Sequence, residues 1–386
     1  MLALMAGQTE SGAYSKPADG SGSIVRKEVA LVISLGTVAI FLGTRNRLVE
    51  DVAHPLLLIV VFLWLFVAVL WSAISVVRHA DCLAIKFGEP YGTLILTLSA
   101  ISIEVATVST AMLHGANNPT LGRDAIFAVM MIALGGLVGL CLLLGGLRHR
   151  EQHYNLQGVN SYLNVIMVLA VIGLVLPIFT TSTSGPTLSK LQGIFVAVVS
   201  IMLYGIFLLI QTMRHSGYFT ESGGAAVVAR SHHLEVRSTG FHSMMLLLYL
   251  LTVVLLAEKF AIPLDNLIEQ FRMPQAFGGA IVAALVLAPE GLGAIEATFR
   301  NQLQRSVNIL LGSVLATIGL TIPAVLTISV LTKHPIALGV QGGNLPLLLL
   351  TLAVSVVTFT SGKTNVLQGC IHLVLFGVFV LLMFAP

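Results

Sequence analysis

LILTLSAISIEVATVST, residues 94–110, and GGAIVAALVLAPEGLGAI, residues 278–295, decide the fold between them. Each is an apolar run with one glutamate sunk in it, Glu104 in the first and Glu290 in the second. A helix that spans a bilayer needs about 20 mostly apolar residues. Both runs have that length with their flanks, and both glutamates then fall near the bilayer centre. A carboxylate at that depth costs at least ~2.5–3.5 kcal/mol, so it is neutralised, paired or turned to a polar cavity.

What surrounds the two runs is also alike. RDAIFAVMMIALGGLVG follows the first from Arg123, and RNQLQRSVNILLGSVLA follows the second from Arg300. Gly135 comes 12 residues after Arg123, and Gly312 comes 12 after Arg300, so LGG lies over LGS and Arg-Asp over Arg-Asn. Upstream, Asp81, Leu83 and Phe87 match Asp265, Leu267 and Phe271 at equal spacing. Phe to Glu is 17 residues in one copy and 19 in the other, and HGANNPTLG at 114–122 is an insertion after the first glutamate. The chain therefore carries an internal repeat.

The rest of the chain has the same character. Of 386 residues, 56% are apolar and 10% charged, against roughly 25% charged in a soluble domain. The net charge of +3 and the lack of any basic stripe argue against a nucleic-acid partner. Eleven apolar runs are candidate spans, at roughly 28–43, 54–77, 92–113, 125–147, 161–181, 189–214, 241–262, 275–297, 305–331, 344–359 and 366–385. The expected fold is an all-α polytopic membrane protein: one extra helix, then two five-helix repeats. Five is odd, so the second copy enters the membrane the other way up. Inverted repeats of this kind place a transport site at the midplane where they meet. The expected organisation is a tail at 1–27, an extra helix at 28–53, a first repeat at 54–214, a central loop at 215–240 and a second repeat at 241–386. Alternating the loops puts 13 Lys and Arg on the side of the N-terminus and 7 on the other. Basic residues favour the cytoplasm, which predicts a cytoplasmic N-terminus and a periplasmic C-terminus.

The two glutamates are the expected cation- and proton-binding residues. A low dielectric favours a proton on a carboxylate, and a cation in the same cavity favours the charged form, so the two compete. Two carboxylates with carbonyls and hydroxyls suit a hard cation. Pro289 removes a donor and is expected to break its helix, freeing carbonyls, with Gly291 and Gly293 beside it. Thr107, Ser109, Asp124, Asn301, Asn308, Gly312 and Ser313 are expected to support the site or line the path. Arg123 and Arg300 could pair with Asp124 and Asn301 or reach to the interface. His79 and Asp81 are read as a structural ion pair, and Glu89 as part of a solvated turn. Cys82, Cys141 and Cys370 have no metal-ligand spacing and are read as packing residues. There is no HExxH, no paired-Asp protease motif and no intramembrane Ser with a His partner, so no enzyme and no cofactor beyond the transported ions is expected. A passive cation channel is the alternative to an exchanger.

These residues carry a family resemblance. SVVRHADCLAIKFGEPYGTLIL (75–96), LAPEGLGAIEATFRNQLQRSVNILLGSVLATIGLTIP (287–323) and TSGKTNVLQG (360–369) resemble the calcium/cation–proton antiporters, most of all their bacterial ChaA-type branch. The likeness covers nearly all of 54–385. It implies eleven helices in a bacterial inner membrane and export of Ca2+ or Na+, with K+ a further option, against proton entry. It places the two essential acidic positions of the family on Glu104 and Glu290. The chain departs from the family where Gly-Asn commonly precedes each glutamate and His follows the second: it has SAISIE and LAPEGL instead. Its central loop holds only Glu221 and Glu235 as acids, where the family is often strongly acidic.

Overall fold

The computed structural model describes residues 28–44, 54–88, 91–114, 119–219, 237–332 and 336–385. Among these, eleven long helices follow one another: α1 (Val29–Gly43), α2 (Pro55–Phe87), α3 (Tyr91–His114), α4 (Leu121–His149), α5 (Leu156–Phe179), α6 (Lys190–Arg214), α7 (Thr239–Gln270), α8 (Ala276–Phe299), α9 (Leu303–Leu331), α10 (Asn344–Thr358) and α11 (Val366–Phe384). Eight are long and apolar enough to cross a membrane alone. The exceptions are α1, the apolar part of α3 (Leu94–Thr110), and α10.

Local chemistry sets the ends. Pro55 opens α2, where its missing N–H costs nothing. Ser189 and Gln192 form a reciprocal cap on α6, and Asn365 and Gln368 do the same on α11. Two helices run well beyond their apolar runs: α2 continues to Phe87 rather than residue 77, and α7 to Gln270 rather than 262. Lys259, inside the apolar run of α7, is 4% exposed and paired with Glu258 at 2.6 Å.

The shortness of α10 has a cause. Its 15 residues reach about 22 Å, less than the ~30 Å of a hydrocarbon core. An extended segment at 336–340 precedes it, buried throughout, and donates hydrogen bonds to three places: Ala337 N–H to Pro119 O, Gly339 N–H to Pro186 O and Val340 N–H to Leu174 O. Leu174 lies in a π-helical turn of α5, Val171–Val175. Non-helical backbone at this depth is tolerated because protein covers it.

The repeats interlock. The first helices of the two copies, α2 and α7, lie against each other along their length, with α1 across both. α11 packs on α4, and its counterpart α6 packs on α9. Glycine permits the close approach of α4 and α11: a Cβ at Gly139 would sit 2.9 Å from the Leu373 backbone nitrogen. A two-stranded ladder, Gln152–His153 with Lys363–Thr364, ties the α4–α5 turn to the α10–α11 turn. The architecture is one extra helix and two inverted five-helix repeats. Glu89 and the central loop from 220 to 236 lie outside the described residues.

Candidate functional site

Glu104 sits midway along α3 and is 4% exposed. Its partner comes from the other repeat: the Thr317 hydroxyl on α9 donates to Glu104 Oε2 at 2.8 Å. Thr317 opens a second kind of irregularity, the π-helical turn Thr317–Thr321. Such turns occur often at functional sites. Thr321 is also buried and lies near the same carboxyl, although its hydroxyl meets no hydrogen-bond geometry. Thr107, one turn beyond Glu104, bonds back to Ile103 O at 2.7 Å, and Ser109 is half-buried.

Glu290 is placed by the mirror-image contact. It lies on α8, and the next residue, Gly291, faces α4, where an added Cβ would stand 3.0 Å from the Leu137 side chain. Leu137 closes the π-helical turn Met131–Leu137 of α4. Each glutamate helix thus packs on the third helix of the opposite copy, at a stretch where that helix is irregular. The carboxyls of Glu104 and Glu290 lie within electrostatic reach of each other. Among the described residues, neither forms an ion pair with Lys or Arg. Glu290 Oε2 is buried and has no hydrogen-bond partner.

The structure corrects the reading of Pro289. It stands inside an unbroken α8, since the helix on either side is held by packing against α4 and α9. Its only local effect is to leave the carbonyl four residues earlier, on Leu285, without its helical donor. Gly293 has room beside it, with Ile309 3.8 Å from an added Cβ.

The remaining sequence candidates are spread out. Asp124 is buried near the start of α4, paired with Arg123 at 2.8 Å and accepting from Thr120 at 2.9 Å. Arg123 also reaches Gly339 O at 3.2 Å, so it fastens the extended segment. Asn301 is a turn residue at φ 59°, exposed, and accepts from Gln152 Nε2 at 3.0 Å. It therefore caps the α8–α9 turn and does not join the glutamates. Arg300 pairs with Glu296, not with Asn301. Asn308 accepts from Gln304 and donates to Phe219 O at 2.6 Å. Gly312 lies beside the Tyr162 hydroxyl, 3.7 Å from an added Cβ, and Ser313 is half-buried. His79 bonds to Glu28 and His242, so the expected His79–Asp81 pair is replaced by contacts that no local spacing foretells.

Sequence reading missed Thr317 and Thr321. The available signal was two threonines four residues apart, on one face of an apolar helix just past the repeat glycine. It also missed His372, fully buried on α11, whose Nδ1 bonds Leu134 O in the α4 π-helical turn at 2.7 Å and whose Nε2 meets Thr358 Oγ1 at 3.0 Å.

Two carboxyls from two inverted copies, a hydroxyl shared between copies and an unfilled acceptor make a site that can hold a cation or protons. The chain as a whole resembles known proteins. The family described as "Sodium/calcium exchanger protein" matches residues 57–213 and 241–385. The y4hA protein of Sinorhizobium fredii is 43% identical over 311 residues, 80% of this chain and 84% of that one. The sodium-potassium/proton antiporter ChaA of Escherichia coli is 38% identical over 360 residues, 89% of this chain and 98% of that one. The crystal structure of the selenium-substituted Ca2+/H+ antiporter protein YfkE shares the fold with TM-score 0.69 at 19% identity, covering 93% of this chain and 98% of that one. The chain belongs to the sodium/calcium exchanger family of membrane antiporters.

Proposed function

We propose that this protein is a secondary antiporter that exports a metal cation against proton entry, with Glu104 and Glu290 alternately holding the two. One observation carries the reading: a buried and a half-buried carboxyl, one from each inverted repeat, lie within reach of each other's charge with no Lys or Arg ion pair among the described residues. Two negative charges in a low dielectric need compensation, and a cation or protons can supply it in turn. Mutual exclusion then makes the movement an exchange: the repeats present the site to one side, the cation leaves, protons replace it, and the site turns.

The ligand set points to the cation. Thr317, with Thr321 nearby, offers hydroxyls, and the Gly-Asn and His positions common in Ca2+ exchangers are absent. A site with few strong oxygen ligands suits Na+ or K+ better than Ca2+, which takes six to eight oxygens. The relative named for sodium, potassium and protons agrees with this order. Na+ and K+ are therefore the first substrates to try and Ca2+ the next. The bias of its basic residues favours a cytoplasmic N-terminus, and its likeness to bacterial antiporters favours a bacterial inner membrane.

The test is cation-induced proton movement in everted membrane vesicles. Respiration acidifies the lumen, and Na+, K+ or Ca2+ is then added over a range of pH. The expected result is collapse of the pH gradient by Na+ or K+ only where the protein is present. A cation current without proton counterflow would replace the exchanger by a channel.

A further inference from the structure

At the end of the bundle where α1 begins, five polar side chains from three helices meet. Glu28 precedes α1, Arg78 and His79 lie on α2, and His242 and Tyr249 lie on α7. Glu28, His79 and His242 are buried, and Tyr249 is fully so. Glu28 Oε2 accepts from Arg78 at 2.6 Å and from the Tyr249 hydroxyl at 2.8 Å. His79 Nδ1 and His242 Nδ1 are 2.9 Å apart, and His79 Nε2 is 3.3 Å from Glu28 Oε2. The backbone N–H of Arg237, just before α7, donates to His242 Nε2 at 2.9 Å.

These contacts fix the protons. A backbone N–H can only donate, so His242 Nε2 is bare. A neutral imidazole carries one N–H, so the proton of His242 is on Nδ1 and is donated to His79 Nδ1. His79 then carries its own proton on Nε2, aimed at the Glu28 carboxylate, and Arg78 Nη2, 3.3 Å from the same ring nitrogen, gives its hydrogen to Glu28 at 2.6 Å instead. The result is a one-way chain, Arg237 N–H to His242 to His79 to Glu28. It joins the first helix of each repeat and the extra helix.

We propose that this chain is a pH-sensitive latch: it closes α1, α2 and α7 together while both histidines are neutral and releases α7 when either takes up a proton. No free acceptor is left on either ring. A proton on His79 Nδ1 would face His242 Nδ1–H across 2.9 Å. A proton on His242 Nε2 would face the Arg237 N–H across 2.9 Å. Each event turns an attraction into a clash of two donors, and either breaks a bond that α7 makes. The charged groups that face the two rings are Glu28, just before α1, and Arg78 and Lys86 on α2. Cys82 on α2 and Tyr249 on α7 are the other titratable groups at the cluster, and the Arg237 side chain stands over Phe241, 5.3 Å from the ring centroid. Histidine is the side chain that gains charge most readily on mild acidification, so the latch opens as pH falls. The basic-residue bias puts this end in the cytoplasm, which would make it a sensor of internal pH. The latch itself does not depend on the antiporter reading.

The test is amide hydrogen exchange of the full chain in lipid nanodiscs from pH 8 to 5.5, with times scaled for intrinsic exchange. Residues 237–249 and 76–84 should lose protection by about tenfold across that range in the wild type. His79→Ala and His242→Ala should already be unprotected at pH 8 and show no further change, while His153→Ala behaves as wild type. Constant protection in the wild type, or the same pH-dependent loss in both alanine variants, would overturn the latch. If the alanine variants do not fold, 15N-histidine NMR of the wild type decides. The Nδ1–H form of His242 and the Nε2–H form of His79 at pH 8 support the latch, and any other tautomer pair refutes it. A chain that failed to exchange ions in vesicles would leave these readouts unchanged.

Discussion

Glu104 and Glu290 occupy corresponding places in two copies of one plan, yet their surroundings differ. Glu104 is almost wholly enclosed and takes a hydrogen bond from Thr317 of the other copy. Glu290 is half-buried, with one carboxyl oxygen left without a partner. The helix opposite Glu104 supplies hydroxyls, whereas the one opposite Glu290 supplies Leu137. A repeat in sequence is therefore not a repeat in solvation. The half that is satisfied by protein needs less from the cation than the half that is not, which gives the two glutamates different tasks in one site.

The largest effect expected from breaking this pair is loss of the charge itself. Glu290→Gln and Glu104→Gln should each bring exchange in everted vesicles down to the background of vesicles without the protein, with normal insertion. If Glu104→Gln kept its activity while Glu290→Gln lost it, the pair would reduce to one working carboxylate. Next comes the packing that aims Glu290. Gly291→Val must push Leu137 aside at a helix contact that now has no spare room, an overpacking cost of about 1–3 kcal/mol. Exchange should fall while the matching change beyond Glu104, Val105→Gly, is milder; vesicle assays of both variants compare them. Third is the hydroxyl that only Glu104 enjoys. A hydrogen bond to a charged group contributes about 1.5–3 kcal/mol, so Thr317→Val should raise the half-saturating cation concentration by about tenfold or more, and Thr317→Ser should restore it. The smallest effect is expected at Asn301. Its backbone at φ 59° suits glycine, and its side chain bonds only to Gln152 in the contacts seen. Asn301→Gly should leave exchange within about twofold of wild type and cost at most ~1 kcal/mol in thermal stability.

Much of this architecture is readable in one dimension because the bilayer imposes it. Apolar runs of about 20 residues have to be helices, and an odd-numbered repeat has to be inverted. The same rule misplaces helix ends, because it senses lipid and not hydrogen bonding: α2 and α7 continue as helices through Arg78 and Asp265, beyond their apolar runs. It is also blind to 336–340, an extended apolar segment buried between helices. The glutamates stand out because charge inside lipid is expensive. Thr317 does not, because a threonine within a helix can satisfy itself on its own backbone and so signals nothing. Thr107 does so on α3, while Thr317 reaches across to Glu104 instead. Asn301 is the converse case: its match to Asp124 reflects equivalent places at helix starts, where Asp124 holds Arg123 and Asn301 turns the chain. The histidine cluster could not be foreseen at all, since Glu28, His79 and His242 are drawn together from three helices far apart in sequence.

The central claim is that cation and protons compete for one pair of carboxyls. The most direct measurement is proton release when Na+, K+ or Ca2+ is added to the purified protein in weakly buffered detergent solution, followed by a pH dye alongside binding calorimetry. The account predicts that binding of the transported cation releases protons from the wild type. It predicts that Glu104→Gln and Glu290→Gln neither bind the cation nor release protons. Cation binding without proton release in the wild type, or unchanged release in both variants, would contradict it.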